Sequence, residues 1–111
     1  MAEDEIGFSI YASEASRTAR RLGNELDLAI AALGLVGEAS EVSEHIKKHL
    51  GHGHPLDTLK VMSELGDVLW YMADICQLLG VDLAAVATMN LSKLRARYPD
   101  GFSVNRSLNR E

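Results

Sequence analysis

The chain has 111 residues, 47% of them hydrophobic, and a formal net charge of −5. This length corresponds to one domain spanning residues 1–111, and the acidic balance argues against a nucleic-acid partner. No apolar run reaches transmembrane length without a charge, which argues against a membrane protein, and the start MAEDEIGFS lacks the apolar region of a signal peptide. The single Cys76 cannot form an internal disulfide and is expected to be buried, so the cytoplasm is the expected compartment.

Apolar residues recur at helical rather than strand spacing, which predicts four helices and no strands. The helices are expected at about residues 6–22, 25–50, 57–79 and 82–98. Asp57 and Asp82 are placed to cap the third and fourth helices, and Gly51 and Gly80 are placed to end the second and third. The expected fold is an all-α four-helix bundle, followed by an irregular C-terminal tail at about 99–111.

The second and third helices show signs of close packing. Gly34 and Gly37 cost helix stability, which favours the close approach of a neighbouring helix or ligand. The third helix is apolar nearly all round, with Trp70 about opposite Val61. A helix that is apolar on several faces is buried on several faces, which predicts a homo-oligomer with this helix near the interface. The alternative is a monomer whose first helix and tail cover Trp70.

Each of these two helices also carries an acidic pair, Glu38 with Glu41 and then Glu64 with Asp67. At about 100° per residue, the two acids of each pair lie roughly 60° and roughly 120° to the same side of an apolar stripe. A carboxylate at the edge of a packed face is costly unless a cation or hydrogen-bond donors compensate it. Four carboxylates on two helices suit a hard divalent cation, so the pattern predicts a Mg²⁺-type centre inside the bundle. The alternative is two solvated helix faces.

Polar and basic residues gather on one side of the fourth helix: Asn90, Lys93 and Arg97. An amide, an ammonium and a guanidinium suit a phosphate chain, because charged donors bind phosphate oxygens strongly. The alternative is that the basic residues only complement the C-terminal end of the helix dipole.

Four histidines lie close together in the sequence: His45, His49, His52 and His54. The i,i+4 spacing of His45 and His49 can hold zinc, although no cysteine accompanies them. His45 also falls near the flank that carries Glu38 and Glu41. A contact between His45 and the acidic centre or its substrate is therefore a second interpretation.

Three segments resemble the MazG-like, all-α nucleoside triphosphate pyrophosphohydrolases: AALGLVGEASEVSEHIKK, SELGDVLWYMADICQLLGVDL and NLSKLRARYPDGF. The two acidic pairs match the E-x-x-E and E-x-x-D hallmark of that family, and Lys93 to Pro99 match a following K-x-x-x-R-Y-P element. The segment YASEASRTAR is similar to the family's first helix, so the resemblance covers nearly the whole chain.

The resemblance implies hydrolysis of a nucleoside triphosphate to a monophosphate and pyrophosphate, with a role in nucleotide-pool housekeeping. It implies a dimer or tetramer and a cofactor, Mg²⁺ or Mn²⁺ in its place, held by four acids: Glu38, Glu41, Glu64 and Asp67. In that scheme Asn90, Lys93 and Arg97 bind the phosphates, and Glu38 or Glu41 is the catalytic base.

One position departs from the family pattern. Many members read E-E-x-x-E, and this chain has Gly37 in place of the extra acid. The general base is therefore open, and a non-catalytic helical oligomer that binds nucleotide or metal is the alternative function. A di-iron carboxylate bundle fits poorly, because such sites use Glu-x-x-His and neither pair ends in histidine. Base and sugar specificity depend on pocket walls that the sequence does not define.

Overall fold

A computed structural model describes residues 5–110, and residues 1–4 and 111 lie outside the described part of the chain. Residues 1–4 belong to the segment on which the argument against a signal peptide rests. The described chain is all-α, as predicted, and no strand occurs within residues 5–110. Its five helices are α1 (Phe8–Ser16), α2 (Leu26–His52), α3 (Thr58–Leu79), α4 (Leu83–Arg97) and α5 (Val104–Leu108). The tail that was expected to be irregular therefore contains a fifth, short helix.

The three long helices begin and end close to the predicted residues because their caps are encoded locally. The Asp57 side chain accepts a hydrogen bond from the Lys60 N–H at 3.2 Å, and Asp82 does the same for Ala84 at 2.9 Å. Gly80 ends α3 with a φ of 71°. The expectation that Gly51 ends α2 was wrong, since the helix continues to His52 and ends at Gly53 with a φ of 71°.

The first helix is shorter than predicted and stops at Ser16. The next residues form i,i+3 turns, and the Thr18 hydroxyl donates to the Ala15 carbonyl at 2.7 Å. The same hydroxyl accepts a hydrogen bond from the Trp70 indole N–H at 2.8 Å. The connector between α1 and α2 thus has tertiary partners that compete with helix continuation, and it contacts the half-buried Trp70 from within the chain.

Helices α2 and α3 pack as an antiparallel pair. Gly34 faces Tyr71 near one end of the contact, and His45 faces Glu64 near the other. A Cβ at Gly34 would overlap with the Tyr71 ring, which confirms the close approach expected there. At Gly37, by contrast, an added Cβ would meet no atom of the described residues within 4 Å.

The core of the described chain is small and lies where α1 crosses α3. Its buried members are Ala73, Cys76 and Leu83, with Tyr11, Ala12 and Leu69 packed against them. The expected burial of Cys76 is confirmed, and burial raises the pKa of its thiol. With only 9 residues, α1 covers part of the 22-residue α3, so Met62 and Leu65 stay exposed.

No single helix within residues 5–110 combines the length and the apolarity needed to cross a bilayer. Among the described residues, α3 and α4 would reach that length and apolarity if they were joined, but the chain bends by 104° between them.

Candidate metal centre

Three carboxylates meet where α2 packs on α3. One carboxylate oxygen from each of Glu38, Glu64 and Asp67 lies within 4.8 Å of the others. Glu38 and Glu64 are half-buried and Asp67 is exposed. The close contact of Gly34 with Tyr71 lies one helical turn away along both helices, so it sets the separation of the two acidic faces.

The fourth acid of the two pairs, Glu41, lies outside this group of three. It is exposed and one turn beyond Glu38 on α2. Its charge nevertheless acts on Glu38, as described below. The structure therefore brings together both acids of the α3 pair but only the first acid of the α2 pair.

Desolvation and neighbouring charge perturb the acidic group. Desolvation against the packed helices raises the pKa of the Glu38 carboxyl, and a hydrogen bond with Glu64, possible only for the protonated acid, raises it further. The charges of Asp67, Glu64 and Glu41 raise it in the same direction. Burial raises the pKa of the Tyr11 phenol on α1, and the negative charge of Asp67 raises it further.

His45 is the histidine closest to this chemistry, since its Nε2 lies 3.8 Å from a Glu64 oxygen. This confirms that His45 falls beside the acidic face. The zinc interpretation finds no support within residues 5–110, because the group of three potential metal ligands contains no histidine. The Nδ1 atom of His49 instead lies 2.8 Å from the His54 carbonyl oxygen, at the end of α2.

The three phosphate-binding candidates lie on α4, whereas the acids lie on α2 and α3. Lys93 and Arg97 line a cavity between α4 and α5, and the residues around that cavity include none of the acids and not Asn90. No ion pair joins Lys93 or Arg97 to an acid within the described residues. Within one protomer, the structure does not bring the basic residues and the acidic cluster into contact.

The donor set suits a hard divalent cation. Carboxylate oxygens are the ligands that Mg²⁺ prefers, and Mg²⁺ typically takes only a few carboxylates, with substrate phosphates as further ligands. Three converging carboxylates with a raised Glu38 pKa lack a compensating lysine or arginine among the described residues. A cation would remove this repulsion, so Glu38, Glu64 and Asp67 could hold one.

A helical hairpin with a carboxylate cluster on its inner face defines an all-α protein with a candidate metal centre. Residues 28–102 match the family model of the MazG nucleotide pyrophosphohydrolase domain, and the chain belongs to that family. It is also 38% identical over 78 residues to the gene 37 protein of Mycobacterium phage L5, a match that covers 67% of this chain and 68% of the phage protein. No solved structure matches the chain.

Sequence analysis missed two arginines, Arg106 and Arg110, which line the α4–α5 cavity with Lys93 and Arg97. The signal that could have revealed them is Ser103, whose hydroxyl caps α5 by accepting from the Arg106 N–H at 3.0 Å. Arg106 lies in α5 after this cap, and Arg110 follows two residues beyond the end of the helix.

Proposed function

We propose that the protein is a Mg²⁺-dependent hydrolase that converts a nucleoside triphosphate to a nucleoside monophosphate and pyrophosphate in the cytoplasm, as part of nucleotide-pool housekeeping. The observation that carries the proposal is the convergence of Glu38, Glu64 and Asp67 at the α2–α3 contact. Family membership supports the same reaction class.

In this proposal the metal ligands come from the two acidic pairs: Glu38, Glu41, Glu64 and Asp67. A bound Mg²⁺ or Mn²⁺ ion would neutralise charge on the phosphate oxygens and favour attack at phosphorus. Glu41, outside the group of three, is a ligand only if its side chain turns toward the cluster. Of the four proposed metal ligands, Glu41 is therefore the one that most needs a direct test.

Hydrolysis needs a base as well as a cation. Water attacks the α-phosphorus, a new oxygen–phosphorus bond forms, and the bond to the bridging oxygen breaks to release pyrophosphate. Glu38 or Glu41 would accept the proton that the water loses. The Nε2 atom of His45 lies 3.8 Å from a Glu64 oxygen, so a charged imidazole there would stabilise that carboxylate electrostatically.

The charge of the substrate requires partners beyond the metal. Asn90, Lys93 and Arg97 would bind the phosphates, because ammonium and guanidinium groups make charge-assisted hydrogen bonds to phosphate oxygens. Within the described residues of one protomer, no ion pair and no shared cavity joins Lys93 or Arg97 to the acids, which supports an assembly in which more than one copy of the chain surrounds the substrate. We therefore include a homo-oligomer, a dimer or a tetramer, in the proposal.

The experiment that tests this function measures pyrophosphate release with Mg²⁺ across a panel of dNTPs and NTPs. Glu64→Gln should lower kcat/KM by about 100-fold or more, the effect of losing a preorganised electrostatic group, while helical circular dichroism is retained. Glu44→Gln is the matched control, since Glu44 lies on α2 but outside the group of three. Equal activity in wild type and Glu64→Gln would contradict the proposed centre.

The second candidate function is a non-catalytic helical oligomer that binds nucleotide or metal. Gly37 favours it, because the position of the additional family acid carries no side chain here. This alternative predicts binding of Mg²⁺ and nucleotide without pyrophosphate release from any member of the panel.

A further inference from the structure

A strongly basic cavity lies between α4 and the short helix α5, outside the acidic cluster. It has a volume of about 570 Å³, within the range of small-molecule sites. Four cationic side chains line it: Lys93 and Arg97 from α4, and Arg106 and Arg110 from the α5 segment. Asn105 and Asn109 complete its polar lining.

Local sequence in the tail folds this segment back toward α4. Gly101 has a φ of 88°, in the left-handed region that favours glycine, and its N–H donates a hydrogen bond to the Tyr98 carbonyl at 3.1 Å. The rings of Tyr98 and Phe102 pack with their centroids 5.4 Å apart across this turn. The reversal puts the arginines of the tail on the same cavity as the basic residues of α4.

Among residues 5–110, the cations of this cavity have no acidic partner. Within the described residues, carboxylates lie within 4.0 Å of Arg17, Arg21 and His45, but not of the four cavity cations. This concentration of positive charge occurs in a chain whose net charge is −5. Like charges that converge without counter-ions repel one another, so a bound anion would relieve an unfavourable arrangement.

We propose that this cavity binds the pyrophosphate group of a phosphate chain, and that Arg106 and Arg110 act there with Lys93 and Arg97. Arginine presents a planar fork that binds phosphate oxygens through two hydrogen bonds, and a di- or triphosphate offers enough oxygens for several such forks. The match to the MazG domain ends at residue 102, so Arg106 and Arg110 lie outside the segment that family membership describes. The proposal rests on the nucleotide substrate of the proposed function, but the binding it predicts needs neither metal nor turnover.

The test is calorimetric titration of the full-length protein with inorganic pyrophosphate in the presence of EDTA. Wild type should bind pyrophosphate at least tenfold more tightly than inorganic phosphate, because a single phosphate cannot reach all four cations. The double variant R106Q/R110Q should weaken pyrophosphate binding at least tenfold. Arg95→Gln is the matched control, since Arg95 is an exposed α4 residue that does not line the cavity, and it should bind as wild type does.

Three results would overturn this assignment. They are unchanged pyrophosphate binding in R106Q/R110Q, equal weakening in Arg95→Gln, and equal affinity for phosphate and pyrophosphate. Failure of the proposed hydrolase function would leave this binding intact. Glu64→Gln should bind pyrophosphate in the absence of metal as wild type does, whether or not the protein is a hydrolase. Circular dichroism of R106Q/R110Q should match wild type, since both arginines are exposed and their removal opens no core.

Discussion

Two buried carboxylates, Asp27 and Asp74, fasten the connector between α1 and α2 to the rest of the fold. Asp74 accepts a hydrogen bond from Arg21 at 2.7 Å, and Asp27 accepts from the backbone N–H groups of Leu22 and Gly23 at 2.8 and 2.9 Å. Each buried charge therefore has donors that compensate its desolvation. The connector that replaces the predicted end of α1 is held by these specific polar contacts.

Asp27→Asn should lower the melting temperature in a pH-dependent way. The backbone hydrogen bond from Leu22 and further donors hold the pKa of Asp27 below its ordinary value, despite burial. The stabilisation is fully present above the unfolded pKa of about 3.9 and is lost as pH falls through the lower folded pKa. The gap in melting temperature between wild type and variant should therefore narrow as pH falls below about 4.

Thermal unfolding of both proteins between pH 7 and pH 3, followed by circular dichroism, measures this gap. Asp100→Asn is the control, because Asp100 is exposed and its side chain makes no hydrogen bond or ion pair within residues 5–110. A gap for Asp27→Asn that stays constant over this range would show that the effect does not come from the charge.

At the scale of the helices, the α2–α3 contact depends on one glycine. Tyr71 packs into the space at Gly34 and against the Trp70 ring, whose centroid is 4.9 Å away at an interplanar angle of 81°. Trp70 in turn donates to Thr18 on the connector. The Gly34–Tyr71 contact, which sets the distance between the acidic faces, is therefore linked through Trp70 to the connector between α1 and α2.

Gly37→Ala should stabilise the protein, whereas Gly34→Ala should not. A Cβ at position 34 would lie 2.7 Å from Tyr71 Cδ1, and overpacking of this kind costs about 1–3 kcal/mol. That cost opposes the gain of roughly 1 kcal/mol that alanine brings to a helix interior. At position 37 the added methyl meets open space in the described chain, so only the gain remains.

Chemical denaturation of the two variants provides the comparison. Gly37→Ala should unfold at higher denaturant concentration than wild type, and Gly34→Ala at lower or equal concentration. Equal stabilisation by both substitutions would show that the Tyr71 ring moves without cost.

At the scale of the whole molecule, one protomer exposes more surface than a compact domain of its size. Its accessible surface is 8489 Å², against about 6,000 Å² expected for 12.1 kDa. Its radius of gyration is 17.0 Å, against about 13 Å for a compact chain of this length. The exposed side chains include large apolar residues on both long helices, such as Leu33, Leu59 and Met62. Surface of this extent and composition is what an oligomer interface would cover.

Light scattering of the purified protein should therefore give at least twice the 12.1 kDa mass of one chain. Met62→Glu should lower that mass at micromolar concentration, since it puts a charge into the apolar face of α3 that α1 leaves uncovered. Gln77→Glu introduces the same charge at an exposed polar position of α3 and should leave the mass unchanged. A wild-type mass of one chain would contradict the proposed assembly.

The positions of the three long helices and the family could be predicted from the sequence, because they depend on residues that are close together along the chain. Helix periodicity and the capping residues Asp57 and Asp82 placed the three long helices, and the two acidic pairs with their order along the chain indicated the family. Within residues 5–110, the features that the sequence placed wrongly are the ends of α1 and α2 and the structure of the tail. At α1, the connector gains its hydrogen bonds from α3 and from Asp27, which helical periodicity does not contain.

Which acids form the candidate centre could be determined only from the tertiary structure. Helical spacing placed Glu38 and Glu41 on the same flank, but only the antiparallel register of α2 against α3 determines that Glu38 joins Glu64 and Asp67 while Glu41 does not. The cavity between α4 and α5 likewise depends on the reversal at Gly101, which turns Arg106 back toward Arg97. The sequence determined the helices and their chemistry because these depend on neighbours along the chain, whereas distances between helices depend on how side chains such as Tyr71 pack.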